Sequence, residues 1–249
     1  MYTKIGLLDS GIGGVTVLRE CMRVNPNYEY YYYSDSIHNP YGDKDNNTVI
    51  SYCDLIVKHL INKGCKVIII ACNTASAIAV NYLREKYSDI YFIAIVPAVK
   101  LAYDNSMDGT LIMATKGTMD SDKFHDLYDH YHHDNFYLLS CVGLANLIEE
   151  GNEDGIIDYL KKHISVYSGK VSNVVLGCTH YPLIKKEIRC VLGDVMFYDG
   201  SVGVANQLKR ILDDNNFIGD ASDVIFEDST GSVEKRKRFF DILESDWDE

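Results

Sequence analysis

Val174-Val175-Leu176-Gly177-Cys178-Thr179-His180-Tyr181-Pro182 decides how this chain folds. It reads as a buried apolar strand running into a tight turn that carries a thiol, a hydroxyl and an imidazole, with a helix to follow. A second stretch has the same form: Val67-Ile68-Ile69-Ile70-Ala71-Cys72-Asn73-Thr74-Ala75-Ser76. The cysteines are 178 − 72 = 106 positions apart, and the offset recurs. Ile5-Gly6-Leu7-Leu8-Asp9 aligns with Leu111-Ile112-Met113-Ala114-Thr115, and Tyr30-Tyr31-Tyr32-Tyr33-Ser34 with Phe136-Tyr137-Leu138-Leu139-Ser140. Three strand-like segments sharing one register without a net gap predict two similar α/β halves, each ending a strand in one cysteine. Halves that face each other would bring the two thiols to one ligand from opposite sides.

The whole chain sets the bounds. Its 249 residues allow one large or two modest domains, enough to bury a core without disulfide or metal. A net charge of −12 disfavours a nucleic-acid partner or an anionic membrane surface. An acidic substrate is still possible, because helix N-termini and backbone amides can make a small site locally positive. Seven cysteines, an odd number without a CxxC pair, predict free thiols in a reducing cytoplasm. The chain enters a strand at Lys4-Ile5 with no charged-then-apolar leader, and no apolar run reaches the length of a membrane span.

Around the two cysteine strands the elements follow in chain order. Asp9-Ser10-Gly11-Ile12-Gly13-Gly14 is a glycine-rich turn before a helix over 15–23. It could cradle a phosphate, but it lacks both the GK[ST] ending and the GxGxxG spacing. Asp9 at that junction reads as a helix cap in preference to a catalytic carboxylate. Tyr28 to Tyr33 predicts a strand covered on both faces, and Pro40 and Gly42 shape the loop after it. An Asn46/Asn47 cap predicts a helix ending near Gly64, followed by helix 76–87 and a strand 91–96. Pro97 opens the second half, where Thr115-Lys116-Gly117-Thr118 mirrors the Asp9 turn. His125, His130, His132 and His133 on the next helix invite a metal, but their Asp, Tyr and Lys neighbours favour a solvated face. Lys235-Arg236-Lys237-Arg238 in the tail reads as another solvated helix face.

Two thiols at strand C-termini, each before a helix, sit where α/β folds place ligands. The helix N-terminus favours thiolate over thiol. A thiolate facing a thiol across a substrate carbon is an acid–base pair: one removes a proton from one face and the other delivers a proton to the opposite face, inverting the centre. Three other readings compete. A metal could be held by Cys72, Cys178, His180 and Asp9, though close ligand pairs are missing. Cys178 and His180 could form a hydrolytic dyad, although i,i+2 neighbours rarely face each other and Cys72 would be idle. A non-catalytic two-domain ligand-binding protein would need neither thiol.

Asp9-Ser10-Gly11-Ile12-Gly13-Gly14, Pro40-Tyr41-Gly42, Ala71-Cys72-Asn73-Thr74-Ala75-Ser76, Ala114-Thr115-Lys116-Gly117-Thr118, Glu149-Glu150-Gly151 and Gly177-Cys178-Thr179-His180-Tyr181-Pro182 occur in that order. With them the chain resembles the glutamate racemases of the aspartate/glutamate racemase family, over nearly its whole length. An aspartate or other amino-acid racemase of that family is the alternative. The resemblance implies an α/β fold of two pseudo-symmetric doubly wound domains with the active site between them, residues 1–96 with 207–249 and residues 97–206. It implies Cys72 and Cys178 as the acid/base pair, with Asp9, Glu149 and His180 tuning the thiols. It implies a substrate pocket of Asp9, Ser10, Pro40, Tyr41, Gly42, Asn73, Thr74, Thr115, Thr118, Thr179 and His180. No pyridoxal phosphate, metal or nucleotide is expected. The implied role is supply of D-glutamate for peptidoglycan by a cytoplasmic homodimer. Val142 and Asn146 stand where the family has prolines, which predicts an altered backbone before Glu149. Some members carry an N-terminal extension tied to activation by a cell-wall precursor; this chain begins at its first strand, so that regulation is not expected.

Overall fold

Nine strands build the two sheets of the computed structural model, which describes residues 2–105 and 108–245. They are β1 (Lys4–Asp9), β2 (Glu29–Ser34), β3 (Cys65–Ile70), β4 (Tyr91–Ala94), β5 (Thr110–Ala114), β6 (Phe136–Ser140), β7 (Asn173–Gly177), β8 (Met196–Tyr198) and β9 (Asp223–Asp228). One sheet runs β4-β3-β1-β2-β9 and the other β6-β5-β7-β8. Every pairing is parallel. The order β4-β3-β1-β2 recurs as β8-β7-β5-β6, so the internal repeat is real at the level of topology.

Its register is not uniform. Leu7 lies opposite Tyr32 and Ile69, and Ile112 opposite Leu138 and Val175. The offsets are 138 − 32 = 106 and 175 − 69 = 106, but 112 − 7 = 105. The counterpart of Asp9 is therefore Ala114, and Thr115 lies one residue further on. β1 and β5 are buried on both faces, so neither carries the polar alternation that would fix a register from sequence.

Each sheet is covered on both faces, as parallel sheets require. Helices Val15–Val24, Ser201–Asp214 and Val233–Glu244 bury one face of the first sheet through Val17, Leu18, Val204, Leu208 and Phe239. Helices Asn46–Asn62 and Asn73–Lys86 bury the other. Around the second sheet, Leu144–Glu150, Glu153–Ile164 and Lys185–Leu192 cover one face, with Val99–Asn105 and Asp122–His130 on the other.

Several local expectations shift. Of the tyrosines in β2 only Tyr30 and Tyr32 are fully buried, and the Tyr30 hydroxyl donates to the Asn25 carbonyl at 2.8 Å. Asp45 caps the helix Asn46–Asn62 by accepting from the Thr48 amide at 3.0 Å, because an Asx side chain just outside the first turn reaches its free N–H groups. The helix after β3 starts at Asn73, directly behind Cys72. His132 and His133 fall beyond the end of Asp122–His130, and among the described residues no group of three His, Cys, Asp or Glu is placed to hold a metal. No described helix is long and apolar enough to cross a membrane.

Candidate active site

Cys72 and Cys178 follow the C-terminal ends of the equivalent strands β3 and β7, and both line one narrow cavity of about 10 Å³. Ser10, Pro40, Tyr41, Gly42, Asn73, Thr74, Thr115, Thr179 and His180 line it too, together with Asn39 and Ala145, which the sequence did not single out. Asp9, Glu149 and Thr118 stand behind that lining.

Cys72 is the residue before the first turn of Asn73–Lys86, and its sulfur lies 3.7 Å from the Ser10 hydroxyl. Burial pushes its thiol up to about 12, and the Asp9 carboxylate adds to the effect, while the Ala75 amide and Ser10 oppose it. The helix terminus pulls in the expected direction, but desolvation is the larger effect, so Cys72 rests as a thiol. The sulfur of Cys178 lies 3.8 Å from Nδ1 of His180. The i,i+2 pair therefore meets after all, because Cys178 to His180 is a turn and not a strand.

His180 Nε2 bonds Glu149 Oε2 at 2.8 Å, and the Ile12 amide donates to the same oxygen at 3.0 Å. Burial would drive the imidazole down; its hydrogen bonds to Cys178 and Glu149 win and hold it well above the ordinary histidine value. Burial likewise would raise Glu149, but the bond to His180 and its charge, the Ile12 amide and Lys235 bring it to about 2. The two form a buried imidazolium–carboxylate pair beside Cys178. Glu149 reaches this position from Leu144–Glu150, a helix bounded by left-handed Gly143 (φ 83°) and Gly151 (φ 69°). Val142 and Asn146 leave that helix in place.

Asp9 is not a helix cap, since Gly14 precedes Val15–Val24. Its Oδ1 accepts from the Gly11 amide at 2.8 Å and its Oδ2 from the Thr179 hydroxyl at 3.0 Å. Burial lifts it to about 6, restrained by the charge of His180 and by these two donors. The turn glycines make room for side chains of the other half. A Cβ on Gly13 would stand 2.6 Å from His180 Nδ1, and one on Gly11 2.4 Å from Glu149 Oε2. Gly42 has the same part, because its Cβ would meet the Thr115 Cβ at 2.9 Å. These glycines let the two halves touch.

Thr74, Thr115 and Thr118 share hydroxyl contacts of 2.8 to 3.3 Å, with Thr118 at the rear. Tyr41 commits its hydroxyl to Asp35 at 2.5 Å, and a cis peptide joins Asn39 to Pro40. Asn73 differs from all of these: its side-chain nitrogen and oxygen are buried without a partner. Lys235 and Arg238 also depart from expectation. Lys235 Nζ is 3.2 Å from Glu149 Oε1, and Arg238 donates to the carbonyls of Ile148 and Glu149. A run that reads as a solvated face is turned in part toward the site, because its partners lie on the other half of the fold.

The family model for Asp/Glu/hydantoin racemases matches residues 17–208. A Clostridium perfringens glutamate racemase is 44% identical over 218 residues, covering 85% of this chain and 84% of its own. A Francisella tularensis glutamate racemase solved with D-glutamate superposes with a TM-score of 0.82 at 30% identity, covering 98% of this chain and 94% of its own. The Escherichia coli glutamate racemase solved with L-glutamate and the activator UDP-MurNAc-Ala superposes at 0.84 with 25% identity, covering 98% and 95%.

Proposed function

Since this chain belongs to the Asp/Glu/hydantoin racemase family, we propose that it interconverts L- and D-glutamate by proton transfer between Cys72, the substrate α-carbon and Cys178. The observation that carries this reading is that equivalent strand ends of the two halves deliver one thiol each to a single buried cavity. With L-glutamate, the Cys178 sulfur as thiolate takes the α-proton while the imidazolium of His180 faces it. The carbanion then takes a proton from the Cys72 thiol on the opposite face. The product is D-glutamate, with Cys178 protonated and Cys72 a thiolate. The reverse reaction runs from that second state.

The α-hydrogen is a far weaker acid than a thiol, so the site must stabilise negative charge on the substrate. The unpartnered Asn73 amide and the amides around Thr74 and Thr179 suit the carboxylates, and the buried Asp9 carboxylate behind the lining supplies negative charge toward the ammonium. A cavity of about 10 Å³ holds about one water molecule, so the halves must part to admit glutamate and close to exclude solvent. The D- and L-glutamate complexes of the Francisella and Escherichia relatives support the substrate assignment. The wider role we propose is cytoplasmic supply of D-glutamate for peptidoglycan by a homodimer without added cofactor. We place the domain division at 1–96 with 207–249 against 97–206, the return crossing within Ser201–Asp214.

The test is circular dichroism of purified protein with either enantiomer, with and without chelator. Cys72→Ser and Cys178→Ser should each abolish net racemisation. On glutamate analogues carrying a β-leaving group, elimination needs only the first deprotonation. Cys178→Ser should then eliminate chiefly from the D-enantiomer and Cys72→Ser chiefly from the L-enantiomer. Both variants preferring one enantiomer would overturn the opposed-thiol mechanism, and activity restored only by a divalent metal would overturn the cofactor-free one.

A further inference from the structure

Glu149 is held from two sides. Its Oε2 serves the Ile12 amide and His180, and its Oε1 meets Lys235. Its main chain is fixed as well, because Arg238 donates to the Ile148 carbonyl at 2.6 Å and to the Glu149 carbonyl. Both cations come from Val233–Glu244, which is anchored on the first sheet by Phe239 stacked 4.1 Å from Phe226. Leu144–Glu150 belongs to the core of the second sheet. The contacts therefore cross from one half to the other at the residue that holds His180.

We propose that Lys235 and Arg238 are positioning residues for the reaction: the C-terminal helix fixes Glu149, Glu149 fixes the His180 ring, and the ring serves Cys178 but not Cys72. Neither cation lines the cavity. Arg238 completes the last turn of Leu144–Glu150, where exposed carbonyls favour a cation. Lys235 supplies the charge that balances Oε1. The other charged or titratable groups facing the pair are Asp9 from β1, Tyr32 from β2 and Cys178 itself. None of these replaces a cation on Oε1.

The inference rests on the two-thiol reading, and the test separates the two. Elimination from β-leaving-group analogues is measured for each enantiomer in Lys235→Gln, Arg238→Gln, Lys235→Arg and the two cysteine variants. Removing a charged hydrogen bond from the buried carboxylate should slow elimination from the L-enantiomer about tenfold and leave the D-enantiomer within twofold. Without its cation Glu149 keeps its proton to higher pH, so the acid limb of the L-elimination profile should move up in Lys235→Gln. Lys235→Arg should return most of the loss. Equal loss on both enantiomers, or an unmoved acid limb in a folded Lys235→Gln protein, overturns the positioning role. If Lys235→Gln does not fold, the same enantiomer comparison in Lys235→Arg and Arg238→Gln decides. Cysteine variants that fail to split by enantiomer sink the two-thiol reading instead.

Discussion

Gly11→Ala puts a single methyl group between the halves of the fold. The new Cβ would lie 2.4 Å from Glu149 Oε2 and 2.9 Å from its Cδ. Ordinary contact begins at 3.4 Å, so the carboxylate must retreat by about 3.4 − 2.4 = 1.0 Å. That retreat breaks or strains both bonds to Oε2, from His180 at 2.8 Å and from the Ile12 amide at 3.0 Å. Gly11 is not among the glycines with positive φ, so alanine carries no backbone penalty there and the effect is the collision alone. Losing a charged buried hydrogen bond costs about 1.5–3 kcal/mol, and overpacking costs about as much again. We expect folding stability to fall by about 3–6 kcal/mol and racemisation to slow about a hundredfold, the scale a 1 Å misplacement can reach. Circular dichroism from each enantiomer gives the rate and urea unfolding the stability. Because the two enantiomers are equally stable, kcat/KM must fall equally in both directions, so the asymmetry is read from β-elimination, where the L-enantiomer should suffer more. Gly203→Ala is the control: nothing outside its neighbours and its own helix backbone lies within 4 Å of the new Cβ, so activity should hold and stability rise slightly. A Gly11→Ala protein with wild-type stability and a rate within threefold of wild type would refute the argument.

Glu149 also sets a pH dependence. Its carboxyl is held at about 2 against an ordinary value of 4.5, so its stabilisation is complete above about pH 4.5 and lost as pH falls toward 2. The stability gap between wild type and Glu149→Gln should shrink by about 2 kcal/mol from pH 6 to pH 3 in urea unfolding; a constant gap would contradict the assignment. Asp9 works the opposite way, its raised value favouring the folded state on acidification, but both proteins carry it and the comparison removes it. Asn73→Ala removes two buried unpartnered atoms, so the free protein should gain about 1 kcal/mol while KM for glutamate rises at least about tenfold. A destabilised Asn73→Ala protein with an unchanged KM would make Asn73 a structural residue.

The two-half architecture and the cysteine pair were legible because their signals are local: an apolar strand, a thiol and a turn within about ten residues. The elements that escaped the sequence have distant partners. β9, Asp-Val-Ile-Phe-Glu-Asp, is an edge strand with only Phe226 fully buried, so it shows little apolar pattern. The glycines of the first turn could be read as a phosphate loop because the atoms they make room for, on Glu149 and His180, lie in the other half. Lys235 and Arg238 look solvated in any local window, since Glu149 is 86 and 89 positions away.

Asp9 and Glu149 show why local chemistry could not supply the rest. Both are buried carboxylates accepting a backbone amide from the same glycine-rich turn, Gly11 for one and Ile12 for the other. Burial raises both, yet Asp9 ends at about 6 and Glu149 at about 2. The difference lies in who else bonds them. Asp9 receives neutral donors and feels His180 only through its charge, whereas Glu149 bonds the imidazolium directly and has Lys235 on its other oxygen. A hydrogen bond from a cation is roughly twice as strong as one from a neutral donor, and that excess reverses the sign of the desolvation effect. His180 lies in the same half as Glu149, whereas the Ile12 amide and Lys235 reach it from the other, so a variant that holds the halves apart should keep the His180 bond and move Glu149 up only part of the way.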